Sequence, residues 1–183
     1  MSKSHLLALS FFVLSATLMS CGNKNEQNTS DIDTTETPLA VEQGPGRDDK
    51  RVLNNEVELN NHKYLLEVTC APDDSLPQVK DRFDDPYLDN RVTLVIHRDG
   101  EILARRSFTK SDFLSNYSGN ASANQLILGG MAFQKASASG FTFGAILNGP
   151  GDEEGGLGFK LTIPVDGVSA ARIEYDPDQA HNG

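Results

Sequence analysis

The sequence predicts a mainly β domain: an antiparallel β-sandwich or strongly curved sheet of about eight short strands with one short helix. Three observations carry that expectation. From Val52 onward, short apolar runs alternate with clusters of Asn, Asp, Gly and Pro, the texture of strands and turns. Leu157, Phe159, Leu161 and Ile163 alternate with Gly158, Lys160 and Thr162, as one buried and one wet face require. Asp99-Gly100 sits between two apolar runs and reads as a type I′ hairpin turn, whose central residues both need positive φ.

Taken in order, Val57 and Leu59 open the first strand, and Asn60-Asn61 turns the chain, since Asn tolerates positive φ. Residues 64–70 return as the second strand, with Tyr64, Leu66, Val68 and Cys70 on one face. Residues 71–90 form a long Asp- and Pro-rich connection. Residues 91–98 and 101–108 are the arms of the Asp99-Gly100 hairpin. A short helix is expected over 110–116, capped by Thr109. Asp112 lies near its positive N-terminal end, and Phe108 and Phe113 close as a hydrophobic staple. Further strands are expected over 125–128, 131–135, 141–147, 157–163 and 171–175. Gly129-Gly130, Ser139-Gly140 and Asp166-Gly167 mark turns or bulges. No internal repeat is visible.

The N-terminus carries an address. Lys3 precedes an apolar run over residues 6–18. At about 13 residues it suits a signal h-region and is shorter than the ~18–20 that a membrane span needs. The run ends in Leu18-Met19-Ser20-Cys21, which resembles the lipobox of bacterial lipoprotein signals. Met19 departs from the small or β-branched residue commoner there. The resemblance implies a signal peptide over 1–20, cleavage before Cys21, and acyl chains such as palmitate on Cys21 as the link to the membrane. Gly22, in place of the aspartate that retains lipoproteins in the inner membrane, implies lipid anchoring at the outer membrane, periplasmic or surface-facing. Residues 21–51 then read as an acidic tether, too poor in apolar side chains to offset the entropy of ordering. A tether of this length reaches about 30 Å. Residues 52–183 are left as a single β-rich domain.

The formal net charge is −10, and loss of Lys3 with the signal makes it one unit more negative. That argues against nucleic acid as a partner and against docking on anionic lipid. The only cysteines are Cys21 and Cys70. With Cys21 acylated, Cys70 has no intrachain partner. It reads as a small buried hydrophobe, with no basic cluster in its own segment to lower its pKa.

The lipobox, acidic tether and small β domain together resemble the short outer-membrane lipoproteins of gut Bacteroidetes. The stretch from Asp89-Asn90-Arg91 to Phe113, with Phe108-Thr109-Lys110-Ser111-Asp112-Phe113 at its end, is similar to one family of these known only as a domain of unknown function. The resemblance covers about residues 50–180. It implies a host and a cell-envelope address and brings no catalytic residue with it. In such a host Asp33-Thr34-Thr35 and Asp74-Ser75-Leu76 fit a short O-glycosylation pattern.

Candidate sites are few. His62, His97 and His181 have no compact metal-ligand spacing and read as surface or hairpin packing. Asp73, Asp74, Asp81, Asp84, Asp85 and Asp89 crowd the 71–90 connection, and Asp152-Glu153-Glu154 lies among glycines. Calcium takes six to eight oxygens, but neither stretch follows the EF-hand pattern. Asp84, Asp85 and Asp89 are therefore the expected partner contact or weak calcium site. No G-x-S-x-G, H-E-x-x-H or P-loop occurs, so no catalytic residue, metal ligand or cofactor is assigned. The chain has no Trp, which disfavours a stacked-ring glycan platform, although Phe83, Tyr87, Phe113 and Tyr117 offer loop aromatics. The expected function is a non-enzymatic envelope module binding a protein or glycan partner through loops 71–90 and 148–156. The alternatives are a small hydrolase with an unrecognised carboxylate pair and a structural or stress-protective surface lipoprotein.

Overall fold

The computed structural model describes residues 44–181 apart from 116, 153 and 154. The signal, Cys21, Asp33-Thr34-Thr35, the tether up to residue 43 and Glu153-Glu154 lie outside the described residues.

Alternation builds two four-stranded antiparallel sheets. The first has the order β1 (Arg51–Leu59), β2 (His62–Pro72), β5 (Asn90–Arg98), β6 (Glu101–Phe108). The second runs β10 (Arg172–Tyr175), β9 (Leu157–Ile163), β8 (Gly140–Asn148), β7 (Ile127–Ser137). A separate two-stranded arm pairs β3 (Val79–Lys80) with β4 (Pro86–Tyr87). Tyr64, Leu66, Val68, Val92, Leu94 and Ile96 from the first sheet join Phe141, Phe143, Leu147, Phe159, Leu161 and Ile163 from the second in one buried core. The fold is thus the expected mainly β class, with both sheets sharing one apolar interior.

The local expectations hold where their causes are local. Asn60 and Asn61 have φ of 52° and 62°, and Asp99 and Gly100 have φ of 53° and 92°, so both tight turns form as read. Helix α1 spans Lys110–Leu114, shorter than the expected 110–116. Thr109 N–H donates to the Asp112 carboxylate at 2.7 Å, and the Phe108 and Phe113 rings close at 6.3 Å. Ser115 is the C-cap, and the Tyr117 N–H donates to the Leu114 carbonyl at 3.0 Å. The two strands expected over 125–128 and 131–135 are one strand, β7. Its register slips between Leu128 and Gly130 and again between Phe133 and Lys135, so Gly129-Gly130 marks a bulge.

Gly46 and Asp48, within the segment read as tether, bond to the 86–90 stretch. Gly46 N–H donates to the Pro86 carbonyl at 2.9 Å, and Leu88 N–H donates to the Gly46 carbonyl at 2.8 Å. The Asp48 carboxylate accepts from Tyr87 Oη at 2.6 Å and from Asn90 Nδ2 at 2.8 Å. Polar residues with little apolar surface are held here by satisfying the polar groups of another segment, which composition alone does not reveal.

Candidate functional site

The 71–90 connection is structured rather than open. Its centre is the β3–β4 arm, closed by a turn over residues 81–85. The Asp81 carboxylate accepts from the amides of Phe83 at 2.8 Å and Asp85 at 3.0 Å. Asp81 N–H donates to the Asp85 carbonyl and Asp84 N–H to the Asp81 carbonyl. Asp84 takes the left-handed conformation, φ 69°, and its carboxylate lies 2.6 Å from Lys80 Nζ. A short aspartate thus braces the turn as Asx geometry allows. The braced tip displays Phe83, 70% exposed, with the Arg82 guanidinium 5.0 Å from its ring centre. The other anticipated aromatics are occupied elsewhere. Phe113 is fully buried, Tyr117 packs on Tyr175 at 5.0 Å, and Tyr87 bonds Asp48. Burial, and then that bond, raise the Tyr87 pKa above the phenol range.

The three expected contact aspartates do not form one site. Asp84 and Asp85 sit on the tip, exposed. Asp89 is only 2% exposed. Its Oδ1 accepts from the amides of Asn90 at 2.8 Å and Leu128 at 2.9 Å, and its Oδ2 lies 3.2 Å from Lys110 Nζ. A buried carboxylate must be paired, and this one ties the end of the connection to β7 and α1. Of the expected Asp84–Asp85–Asp89 contact, Asp84 and Asp85 thus stand at the exposed tip and Asp89 in the interior. Among the described residues no group of three or more His, Cys, Asp or Glu side chains is placed to hold a metal ion. Asp73 is likewise a bracket. Hydrogen bonds from Ser75, and then from the Arg91 guanidinium, lower its pKa to about 2.

His62 Nδ1 lies 2.6 Å from Asp99 Oδ2, and His97 Nε2 lies 3.3 Å from Glu67 Oε2. The first pair joins the two hairpin turns. Asp99 also accepts the Lys63 amide, and this bond, with that of His62, lowers its pKa. A hollow of about 590 Å³ lies nearby, lined by Glu56, Glu58, Lys63 and His97 together with Val57, Tyr64 and Leu65. In the 148–156 loop, Asn148 Nδ2 donates to the Asp152 carbonyl.

A cleft missed in the sequence lies where β1 meets β7. Arg51 pairs with Cys70 and Leu53 with Val68, so Arg51 and Leu53 share the inward face of the sheet. Yet Leu53 is 46% exposed. The sandwich is open at this edge, leaving a cleft of about 470 Å³ whose walls include Val68, Cys70, Met131 and Phe133. The Arg51 guanidinium donates to the Gly129 carbonyl. Burial pushes the Cys70 thiol up, and the neighbouring Arg51 opposes that shift. The basic neighbour absent from the Cys70 segment thus arrives from the partner strand. Strand alternation carries the signal: Arg51, Leu53 and Val57 share parity.

Comparison with known families matches residues 29–168 to the model of a domain of unknown function, DUF4738. No curated protein matches the chain.

Proposed function

The chain belongs to the DUF4738 family, whose function is unassigned, and we propose that it is a non-enzymatic envelope module that holds a protein or glycan partner through the β3–β4 tip. The observation that carries this reading is the 70% exposure of Phe83 on a turn braced by Asp81. An exposed aromatic beside an arginine on a rigid support loses little side-chain entropy on contact, and both residue types are enriched in binding hot spots. The proposed address is the outer membrane of a Bacteroidetes-type cell, through lipid on Cys21. It rests on the apolar run over 6–18 and the Leu18-Met19-Ser20-Cys21 motif.

The test uses the purified full chain against envelope extract and glycan arrays, beside an Arg82→Ala/Phe83→Ala double variant of equal thermal stability. The reading expects a saturable partner that the double variant loses by at least about tenfold, the usual scale of a hot-spot pair. A partner bound equally by both forms places the contact elsewhere. For the address, Cys21→Ala is expected to move the protein from the membrane to the soluble fraction and to remove the lipid mass; a membrane-bound, unmodified chain contradicts it.

A further inference from the structure

We propose that the cleft between β1 and β7 binds a small amphiphilic carboxylate, with an acyl chain on the apolar walls and its carboxylate on Arg51. At about 470 Å³ the cleft falls in the roughly 300–1,000 Å³ range of small-molecule sites. Leu53, Val68, Met131 and Phe133 make its walls apolar. It follows β7 from Gly129 to Gln134, a run of roughly 17 Å at strand rise, which suits an elongated guest.

Arg51 sets the sign of the headgroup. In a chain of net charge −10, this guanidinium forms no ion pair with any carboxylate among the described residues. Asp48, close by, is taken up by Tyr87 and Asn90. The Gly129 carbonyl uses one nitrogen of Arg51, and Cys70 lies against it. An arginine has five N–H donors in a planar fork, so donors remain for a carboxylate. A neutral guest would cover this charge without pairing it, and a cationic one would be repelled. The hollow at the hairpin turns is walled in part by Val57, Tyr64 and Leu65, but Glu56 and Glu58 also line it and oppose a carboxylate.

The probe is decanoate, titrated calorimetrically below its micelle concentration into the purified full chain, with decanol and decylamine as controls. One saturable site for decanoate is expected, with decanol weaker and decylamine weaker still. Arg51→Gln is expected to weaken decanoate at least about tenfold, the loss of a charge-assisted hydrogen bond. Because Arg51 also bonds Gly129, a second variant guards against misfolding. Leu53→Glu, at a half-exposed position, is expected to abolish binding while leaving the melting temperature unchanged. Absence of saturable decanoate binding overturns the proposal. So does equal binding by Arg51→Gln, or decylamine binding as tight as decanoate. The Arg82→Ala/Phe83→Ala variant is expected to bind decanoate as the parent does, so failure here and failure of the tip reading show separately.

Discussion

Asp89→Asn tests whether the acidic connection serves the fold or a ligand. The substitution keeps the size of the side chain and an oxygen for the amides of Asn90 and Leu128, but removes the charge facing Lys110 Nζ at 3.2 Å. Removing one partner of a buried ion pair costs about 3–5 kcal/mol. Lys110 is not left bare, since its Nζ also donates to the carbonyls of Asn124 at 3.1 Å and Leu126 at 2.7 Å. The expected loss is therefore about 2–3 kcal/mol, a fall in melting temperature of about 10 °C for a domain of this size. Asp89→Ala also orphans two buried amides, each costing about 1–3 kcal/mol, and is expected to lose more. Asp84→Asn and Asp85→Asn, on exposed side chains, are expected to stay within about 0.5 kcal/mol. The assay is thermal unfolding followed by circular dichroism, with and without millimolar calcium. An Asp89→Asn melt within 2 °C of the parent, by a margin of about 0.5 kcal/mol, refutes the bracket role. A parent melt raised by calcium, with that rise lost in Asp89→Asn, restores the ligand role.

Acid sensitivity follows from Asp73, whose pKa falls from 3.8 to about 2 in the fold. A depressed folded pKa stabilises above the unfolded value, and that contribution is lost as pH falls toward the folded one. Asp73→Asn is expected to lower the urea midpoint at pH 6 and to narrow its gap to the parent at pH 2. Phe113→Ala removes a fully buried ring that meets Phe159 at 5.5 Å. It is expected to cost about 3–5 kcal/mol in denaturant unfolding. Gly140→Ala is expected to destabilise the β7–β8 hairpin, detected as faster amide exchange in β8. Gly140 has φ +140°, and an added Cβ would stand 2.0 Å from the Ile163 carbonyl oxygen.

What the sequence made legible was local. The alternation of Leu157 to Ile163, the Asp99-Gly100 turn and the Phe108–Phe113 staple each depend on residues a few positions apart, and each stands in the structure. Arg51 and Gly129 are 78 residues apart, so the meeting of β1 and β7, and the cleft between them, depend on how two sheets pack. The β3–β4 arm has two residues per strand, too few for a period to appear. The aspartates are the more instructive case. Asp73, Asp81, Asp84 and Asp89 look alike in sequence, as one acidic loop. In the fold Asp73 is held by Ser75 and Arg91, Asp81 braces a turn, Asp84 takes a left-handed bend, and Asp89 is buried against Lys110. Their roles come from donors supplied elsewhere, which composition cannot show. Those four carboxylates are partnered within the fold, while Asp74 and Asp85 of the same connection stay exposed. The turn that Asp81 braces also exposes the Phe83 ring, on which the proposed contact rests.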